Sequence, residues 1–277
     1  MKRVAAFFKL IRPINVAITF ATVILAGFFC SDVFTLDGKI LFAAFSAALI
    51  AAAGNIINDY YDLEIDKINR PDRVLPQGII SPKFALHLYF DLTGLGIILA
   101  FQVNMNATFI AFAAAVFLFL YSAYFKRKPF TGNFIVGAMT GLAFVYGGVA
   151  VGNLEATFIP AIFALLVNLI REIFKDVEDI PGDAEAGIST LPIFAGKKKS
   201  VLIARAFLLL LIAATFVPFV FRLYRIEYFV IVMTLANPIY VFVLKLTSNV
   251  DDLNFKRING LLKLSMIFGL IAIYFGK

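Results

Sequence analysis

GNIINDYYDLEIDKINRPDRVLPQG, residues 54–78, begins in an apolar run, ends in a loop broken by proline and glycine, and sets out a row of acids between the two. Asp59, Asp62 and Asp66 follow one another at i, i+3 and i+7, which puts all three on one face of a helix that continues through Ile65. Asn55 and Asn58 share that face, and Arg70 and Arg73 follow at once. A fan of carboxylates at a membrane edge suits a hard divalent cation, because Mg²⁺ takes one or two carboxylates together with the oxygens of a substrate phosphate. A solvated ion-pair network between these acids and the two arginines accounts for the loop equally well when it is taken alone. The rest of the chain has to separate the two.

The composition excludes an ordinary soluble domain. Of 277 residues, 61% are hydrophobic and 32 are Phe, with a mean hydropathy of +0.91. Apolar runs long enough to cross a bilayer, about 17–25 residues, recur along the whole length. The chain is therefore expected to be an all-α, polytopic membrane protein forming a single domain over residues 1–277. The first run begins near Pro13, after Lys2, Arg3, Lys9 and Arg12, and is too long for a signal peptide and lacks a small-residue cleavage site, so it is kept as a span. Cys30, the single cysteine, rules out an intramolecular disulfide and a thiolate metal site.

Nine spans follow from the runs, over residues 13–30, 40–60, 84–102, 107–125, 133–151, 157–174, 201–221, 228–246 and 258–275. With the N-terminus inside, the inner segments collect most of the Lys and Arg, and the outer ones keep only Lys39, Arg222, Arg225 and Lys277. That skew predicts a multi-pass protein of the cell membrane with both acidic loops cytoplasmic and the C-terminus outside. The two long inner loops follow spans two and six. Four crossings separate them, an even number, so two parallel four-helix halves and a ninth helix are a possible architecture.

The second acidic loop, REIFKDVEDIPGDAEAGISTLP over residues 171–192, repeats the spacing of the first at Asp176, Asp179 and Asp183. Pro181 and Gly182 predict that the helix loosens before Asp183, leaving that set partly on a loop. Arg171 and Lys175 lie at the span end, where a charge is costly and usually has a partner or a task. Between spans four and five, Tyr121 and Tyr124 precede Lys126, Arg127 and Lys128. This cluster reads either as an aromatic and positive-inside anchor or as a phosphate clamp under an aromatic wall. His87, the lone histidine, is expected to be interfacial or packed.

With both loops in view the sequence resembles the UbiA superfamily of intramembrane prenyltransferases along essentially its whole length. The N-D-x-x-D-x-x-x-D motif stands as Asn58, Asp59, Asp62 and Asp66, and D-x-x-D-x-x-x-D as Asp176, Asp179 and Asp183, followed by GISTLP from Gly187. The resemblance implies nine transmembrane helices around a central cavity, and Mg²⁺ held by Asn58, Asp59, Asp62, Asp66, Asp176, Asp179 and Asp183. Asp62, Asp66, Asp179 and Asp183 are then the catalytic carboxylates, with Asn55, Arg70, Tyr121, Tyr124, Lys126, Arg127, Arg171 and Lys175 around the substrates. The segments NDYYDLEIDKINRPDR and REIFKDVEDIPGD are most similar to the archaeal-type branch, which attaches a second geranylgeranyl chain to geranylgeranylglyceryl phosphate. The partners so implied are an isoprenoid diphosphate, a lipid-like acceptor and membrane lipids, with no nucleic acid and no obligate protein.

Two other readings remain at this stage. A member of the same superfamily adding a polyprenyl chain to an aromatic, quinone or haem acceptor would carry the same aspartates. A cation-coupled transporter would place acids near the bilayer midplane, whereas all six motif aspartates fall at span ends. The topology is directly testable. After replacement of Cys30, cysteines at Asp72 and Glu185 should resist an impermeant thiol reagent added to intact cells and react once the cells are opened; labelling from outside would overturn the orientation.

Overall fold

The computed structural model describes residues 2–31, 36–185 and 187–277, with the side chains of Lys2, Arg3 and Asn69 outside the described set. Its helices in chain order are α1 (Lys2–Ile11), α2 (Pro13–Cys30), α3 (Gly38–Tyr61), α4 (Leu63–Asn69), α5 (Pro82–Phe101), α6 (Met105–Ala123), α7 (Thr131–Val151), α8 (Phe158–Glu178), α9 (Ile180–Glu185), α10 (Leu191–Ala195), α11 (Lys197–Ala214), α12 (Val217–Val220), α13 (Ile226–Ile231), α14 (Asn237–Leu246) and α15 (Phe255–Gly276). Among the described residues nine helical stretches are long and apolar enough to cross a membrane. Each falls on one of the expected spans, with ends displaced by a few residues.

Capping sets where these helices begin. Asp37 accepts the Ile40 N–H at 3.1 Å, Ser81 that of Phe84 at 3.2 Å, Asn104 that of Ala107 at 2.8 Å and Asn254 that of Arg257 at 2.9 Å. Each side chain satisfies a donor that the first helical turn leaves without a partner. Pro13 and Pro82 occupy first-turn positions, where the missing N–H costs nothing. The eighth span is not a plain helix: Val232–Ala236 forms a π turn ahead of Pro238, whose ring cannot fit against a regular preceding turn.

The chain divides into two compact units, one of Met1–Lys126 with Leu142–Thr157, the other of Arg127–Gly141 with Phe158–Lys277. This differs from four helices, four helices and a ninth: α7 is divided between the units, and the ninth span belongs to the second. The division follows from the two faces of α7. Near its start, Gly137 lies against Leu165 and Leu169 of α8; near its end, Gly147 lies against Val23 and Ala26 of α2.

In the first unit α3 is the inner helix, packed against α1, α2, α5 and α6. Its small residues, among them Ala43, Ala44, Ala48, Ala52 and Ala53, let the neighbours approach closely, as lipid-embedded helices require. A buried Ser46 hydroxyl donates to Gly96 O at 2.7 Å and accepts from Tyr146 at 2.9 Å, tying three helices together. In the second unit α8 is the inner helix, packed on α11 and α15 through Val167, Ile170 and Phe174. The two inner helices bury 56% and 61% of their apolar stretches, against 22% for α5 and α6, and both carry the aspartates.

Gly147 is the tightest backbone approach in the first unit: a Cβ there would lie 2.5 Å from Val23 O and 2.6 Å from Ala26 Cβ, and backbone cannot swing away. Gly94, with nothing within 4 Å of its ideal Cβ, is the matched control. Gly147→Ala should destabilise the detergent-purified protein by about 1–3 kcal/mol, the usual cost of overpacking, read as a lowered Tm, while Gly94→Ala leaves Tm unchanged or higher. Equal melting temperatures would show that α2 and α7 are not held this closely.

Candidate active site

The first aspartate row leaves the membrane end of α3 and runs into α4. The helix does continue past Ile65 as expected, but with one residue of interruption at Asp62 (φ −86°, ψ −3°). Hydrogen bonding survives the bend: Asp62 N–H reaches Asn58 O at 3.0 Å, and Asp62 O accepts from Asp66 N at 2.8 Å. The second row does the same. α8 ends at Glu178, Asp179 is the interrupting residue and α9 resumes at Ile180, with Asp179 N–H on Lys175 O and Asp183 N–H on Asp179 O, both 2.9 Å.

Asp183 thus stands on a short helix, which corrects the expectation of a loop. Pro181 breaks the helix just ahead of itself and then occupies the first turn of the next one, where its missing N–H is harmless. In both rows the middle aspartate is the hinge.

Asp59, Asp62 and Asp66 are 7%, 8% and 5% exposed, and three cations enclose them. Arg12 pairs with Asp59, and Arg73 Nη1 bridges Asp59 at 3.3 Å and Asp66 at 2.5 Å. Lys126 pairs with Asp62 and also reaches Asn58 Oδ1 at 3.3 Å, while the Asn58 amide donates to Asp62 at 3.0 Å. Three buried carboxylates therefore face three half-buried cations, and the set is neutral as it stands. Removing one carboxylate leaves its cation behind, but that cation is partly exposed and can turn to water, so the loss falls on the site more than on the fold.

Arg12 reaches Asp59 because the chain folds back there. As the residue before Pro13 it is pushed out of the right-handed helical region, and it adopts φ 55°, ψ 71° between α1 and α2. Asn55 holds the same corner by donating to Ile11 O at 2.8 Å. The short helix α1 that results buries Ala6 and Leu10 against α3 and leaves Val4 and Phe8 exposed, as an interfacial helix does.

The other expected residues fall outside this knot. Arg70 is exposed and forms no ion pair among the described residues, and Arg127 is likewise exposed. Tyr124 is 62% exposed and Tyr121 half-buried. Tyr61 and Tyr89 belong instead to an aromatic cluster of the first unit, with rings 5.7 and 6.2 Å from that of Phe119 and Tyr89 buried in the core. His87 is exposed and contacts Lys83 O at 2.7 Å, so it is interfacial and not packed.

In the second unit the acids have gentler partners. Asp176 accepts from the Asn133 amide at 2.7 Å, and Asp179 is exposed without an ion pair among the described residues. Lys175 turns to Glu172 at 3.5 Å. Arg171 donates from Nη1 to Asn168 Oδ1 at 2.7 Å, and its buried Nε has no partner among the described residues. A buried guanidinium N–H left open is a donor waiting for an acceptor oxygen.

Arg12, Asn133 and Asn168 were not singled out by sequence reasoning. Asn168 carried a signal, being a polar residue inside an apolar span one turn before Arg171. Arg12 carried only that of one more basic residue before a span. All donors of the first set are oxygens, from Asn58 and three aspartates, with no imidazole or thiolate, which fits Mg²⁺. Among the described residues no three carboxylates converge on one point, each being drawn to its own cation, and Mg²⁺ bound together with a phosphate does not need three.

Known proteins share both the sequence and the architecture. A digeranylgeranylglyceryl phosphate synthase of Thermococcus gammatolerans is 39% identical over 214 residues, 77% of each chain. A solved structure of a digeranylgeranylglyceryl phosphate synthase superposes with a TM-score of 0.86 at 32% identity, covering 100% of this chain and 99% of that one. A UbiA homologue of Archaeoglobus fulgidus bound to GPP and Mg²⁺ has the same fold, with a TM-score of 0.71 at 18% identity over 97% of this chain and 99% of its own. The family model for UbiA prenyltransferases matches residues 16–267, taking in both aspartate rows and every span except the first three residues of α2 and the last nine of α15, and the chain belongs to that family.

Proposed function

We propose that this protein transfers a geranylgeranyl group from geranylgeranyl diphosphate to geranylgeranylglyceryl phosphate at the cytoplasmic face of the cell membrane, with Mg²⁺ as cofactor and pyrophosphate as the second product. The relatives named as synthases of digeranylgeranylglyceryl phosphate support the substrate pair, and the GPP and Mg²⁺ held by the Archaeoglobus homologue support the diphosphate and the metal. One observation within this chain carries the reading: the neutral knot of Asp59, Asp62 and Asp66 with Arg12, Arg73 and Lys126.

An uncompensated cluster of three carboxylates would repel a diphosphate. The balanced knot does not. In the reaction the bond from the allylic carbon to the diphosphate oxygen breaks, with the electron pair leaving on pyrophosphate. The acceptor hydroxyl oxygen then bonds to that carbon and releases its proton. When bound, Mg²⁺ supplies charge neutralisation on the leaving group, as a Lewis acid does. Asn58, Asp59, Asp62 and Asp66 would hold such an ion in the first unit, and Asp176, Asp179 and Asp183 would do so in the second. Arg73 and Lys126 stabilise the charge that develops on the departing oxygens, a role suited to preorganised cations in a water-poor place. Tyr61 and Phe119, both half-buried, offer π faces to the allylic cation, and the apolar core behind them, with Tyr89, excludes water that would consume it.

The acceptor carries a phosphate of its own. Lys126 lies within the first aspartate row and is assigned to the diphosphate, whereas Arg171 has an open, buried donor and is oriented by Asn168. Arg171 is thus the better candidate for the acceptor phosphate. A neutral quinol acceptor would have no use for it.

Two measurements test the reading. Asp62→Ala and Asp183→Ala should each abolish pyrophosphate release from geranylgeranyl diphosphate while leaving the yield of folded protein close to wild type. Wild-type turnover at limiting Mg²⁺ in either variant would remove the metal role from that residue. Arg171→Gln should raise KM for geranylgeranylglyceryl phosphate about tenfold or more, the worth of a charge-assisted hydrogen bond, with KM for the diphosphate little changed. Efficient prenylation of a neutral quinol or aromatic acid, with no activity toward geranylgeranylglyceryl phosphate, would overturn the acceptor and leave the family membership intact.

A further inference from the structure

The charge pattern of the sequence leaves the connections opposite the acidic loops poor in cations, with only Lys39, Arg222, Arg225 and Lys277. Three of those four line one cavity of the second unit, of about 590 Å³, formed where the ends of α12, α13 and α15 meet, with Phe219, Tyr224 and Ile226 as its apolar wall. Along the antiparallel spans of that unit this is the end away from the second aspartate row. None of the residues of the proposed reaction takes part in it.

The cavity is built before anything binds. Arg222 adopts a left-handed backbone, φ 56°, which turns the chain sharply after α12. Arg225 N–H donates to Gly276 O at 2.7 Å and ties the turn to the end of α15. Gly276 is pressed so closely on Tyr228 that a Cβ would lie 2.3 Å from the tyrosine Cβ, so only glycine gives this seat. The side chains of Arg222 and Arg225 are exposed and have no ion pair among the described residues, Glu227 on the same connection included.

Unpaired guanidiniums offer the planar forks that match phosphate oxygens. Around them Val220, Phe221 and Leu223 stand 66%, 70% and 59% exposed, which suits acyl chains and not water. A cationic seat with a greasy rim at the end of membrane helices matches the phosphate headgroup of a lipid better than a free anion.

We propose that this cavity is a binding site for an anionic phospholipid of the leaflet facing away from the aspartate rows, held by Arg222 and Arg225 through its headgroup phosphate. Each basic group near an anionic membrane surface contributes on the order of 1 kcal/mol, so the loss of two should weaken binding about tenfold or more. The test uses the purified full-length protein and native mass spectrometry with titrated phosphatidylglycerol. The wild type and Lys39→Gln, which removes a cation outside the cavity, should bind alike, and Arg222→Gln/Arg225→Gln should bind at least tenfold more weakly at unchanged prenyl transfer in detergent. Arg222→Gln alone, at an exposed position, gives the same reading if the double variant is not recovered folded. Unchanged phosphatidylglycerol binding in the variants, equal binding of phosphatidylcholine, or full competition by equimolar inorganic phosphate would each overturn the lipid site.

Discussion

Burying a carboxylate at the edge of a bilayer is costly unless a cation comes with it, and much of the first unit is arranged around that requirement. The helix α3 carries three aspartates to a place where they are less than a tenth exposed. Their partners come from three separate segments: Arg12 from the junction of α1 and α2, Arg73 from the turn after α4, Lys126 from the end of the connection after α6. The first two of these segments are fixed in turn by apolar packing, with Leu10, Ile56, Val74 and Leu75 in one buried cluster. Electrostatics decides which residues must meet, and the packing makes the meeting affordable.

The two units solve the same problem differently. The aspartates of the first are locked by full charges, whereas Asp176 in the second leans on the neutral amide of Asn133 and Asp179 is exposed. In the second row the described difference lies at Asp176 and Asp179, which no cation holds among the described residues. That both rows bend at their middle aspartate, one with a proline nearby and one without, argues that the bend belongs to the motif and not to a local breaker.

Much of this was legible in the sequence because it rests on long-period signals. Nine apolar runs of bilayer length and the doubled i, i+3, i+7 spacing specified the class, the span count and the acidic ends without reference to contacts. What stayed hidden depends on which residue meets which. Arg12 looked like one more positive-inside residue, and only the left-handed turn at Pro13 reveals its aim. Arg70 and Arg73 were indistinguishable as neighbours in a loop, yet the turn between them, closed by Arg73 N–H on Arg70 O at 3.0 Å, sends one to two carboxylates and the other to solvent. Asn55, expected beside a substrate, is seen holding the carbonyl of Ile11. The partition of α7 between two units was also out of reach, since glycines at both of its ends advertise close approach without saying to what.

The π turn at Val232–Ala236 has its own consequence for how this chain tolerates change in length. A π turn holds one residue more than the helix around it in about the same rotation, so deleting a single residue there would restore a regular helix with its two flanks still in phase. The same deletion in the regular turns just before it would rotate everything beyond by about 100°, and Asn237, now buried with its amide 3.1 Å from the Thr215 hydroxyl, would swing away from that partner. The extra residue is thus a reserve of length, and the fold would read a one-residue loss elsewhere in the same apolar run as a change of helix face.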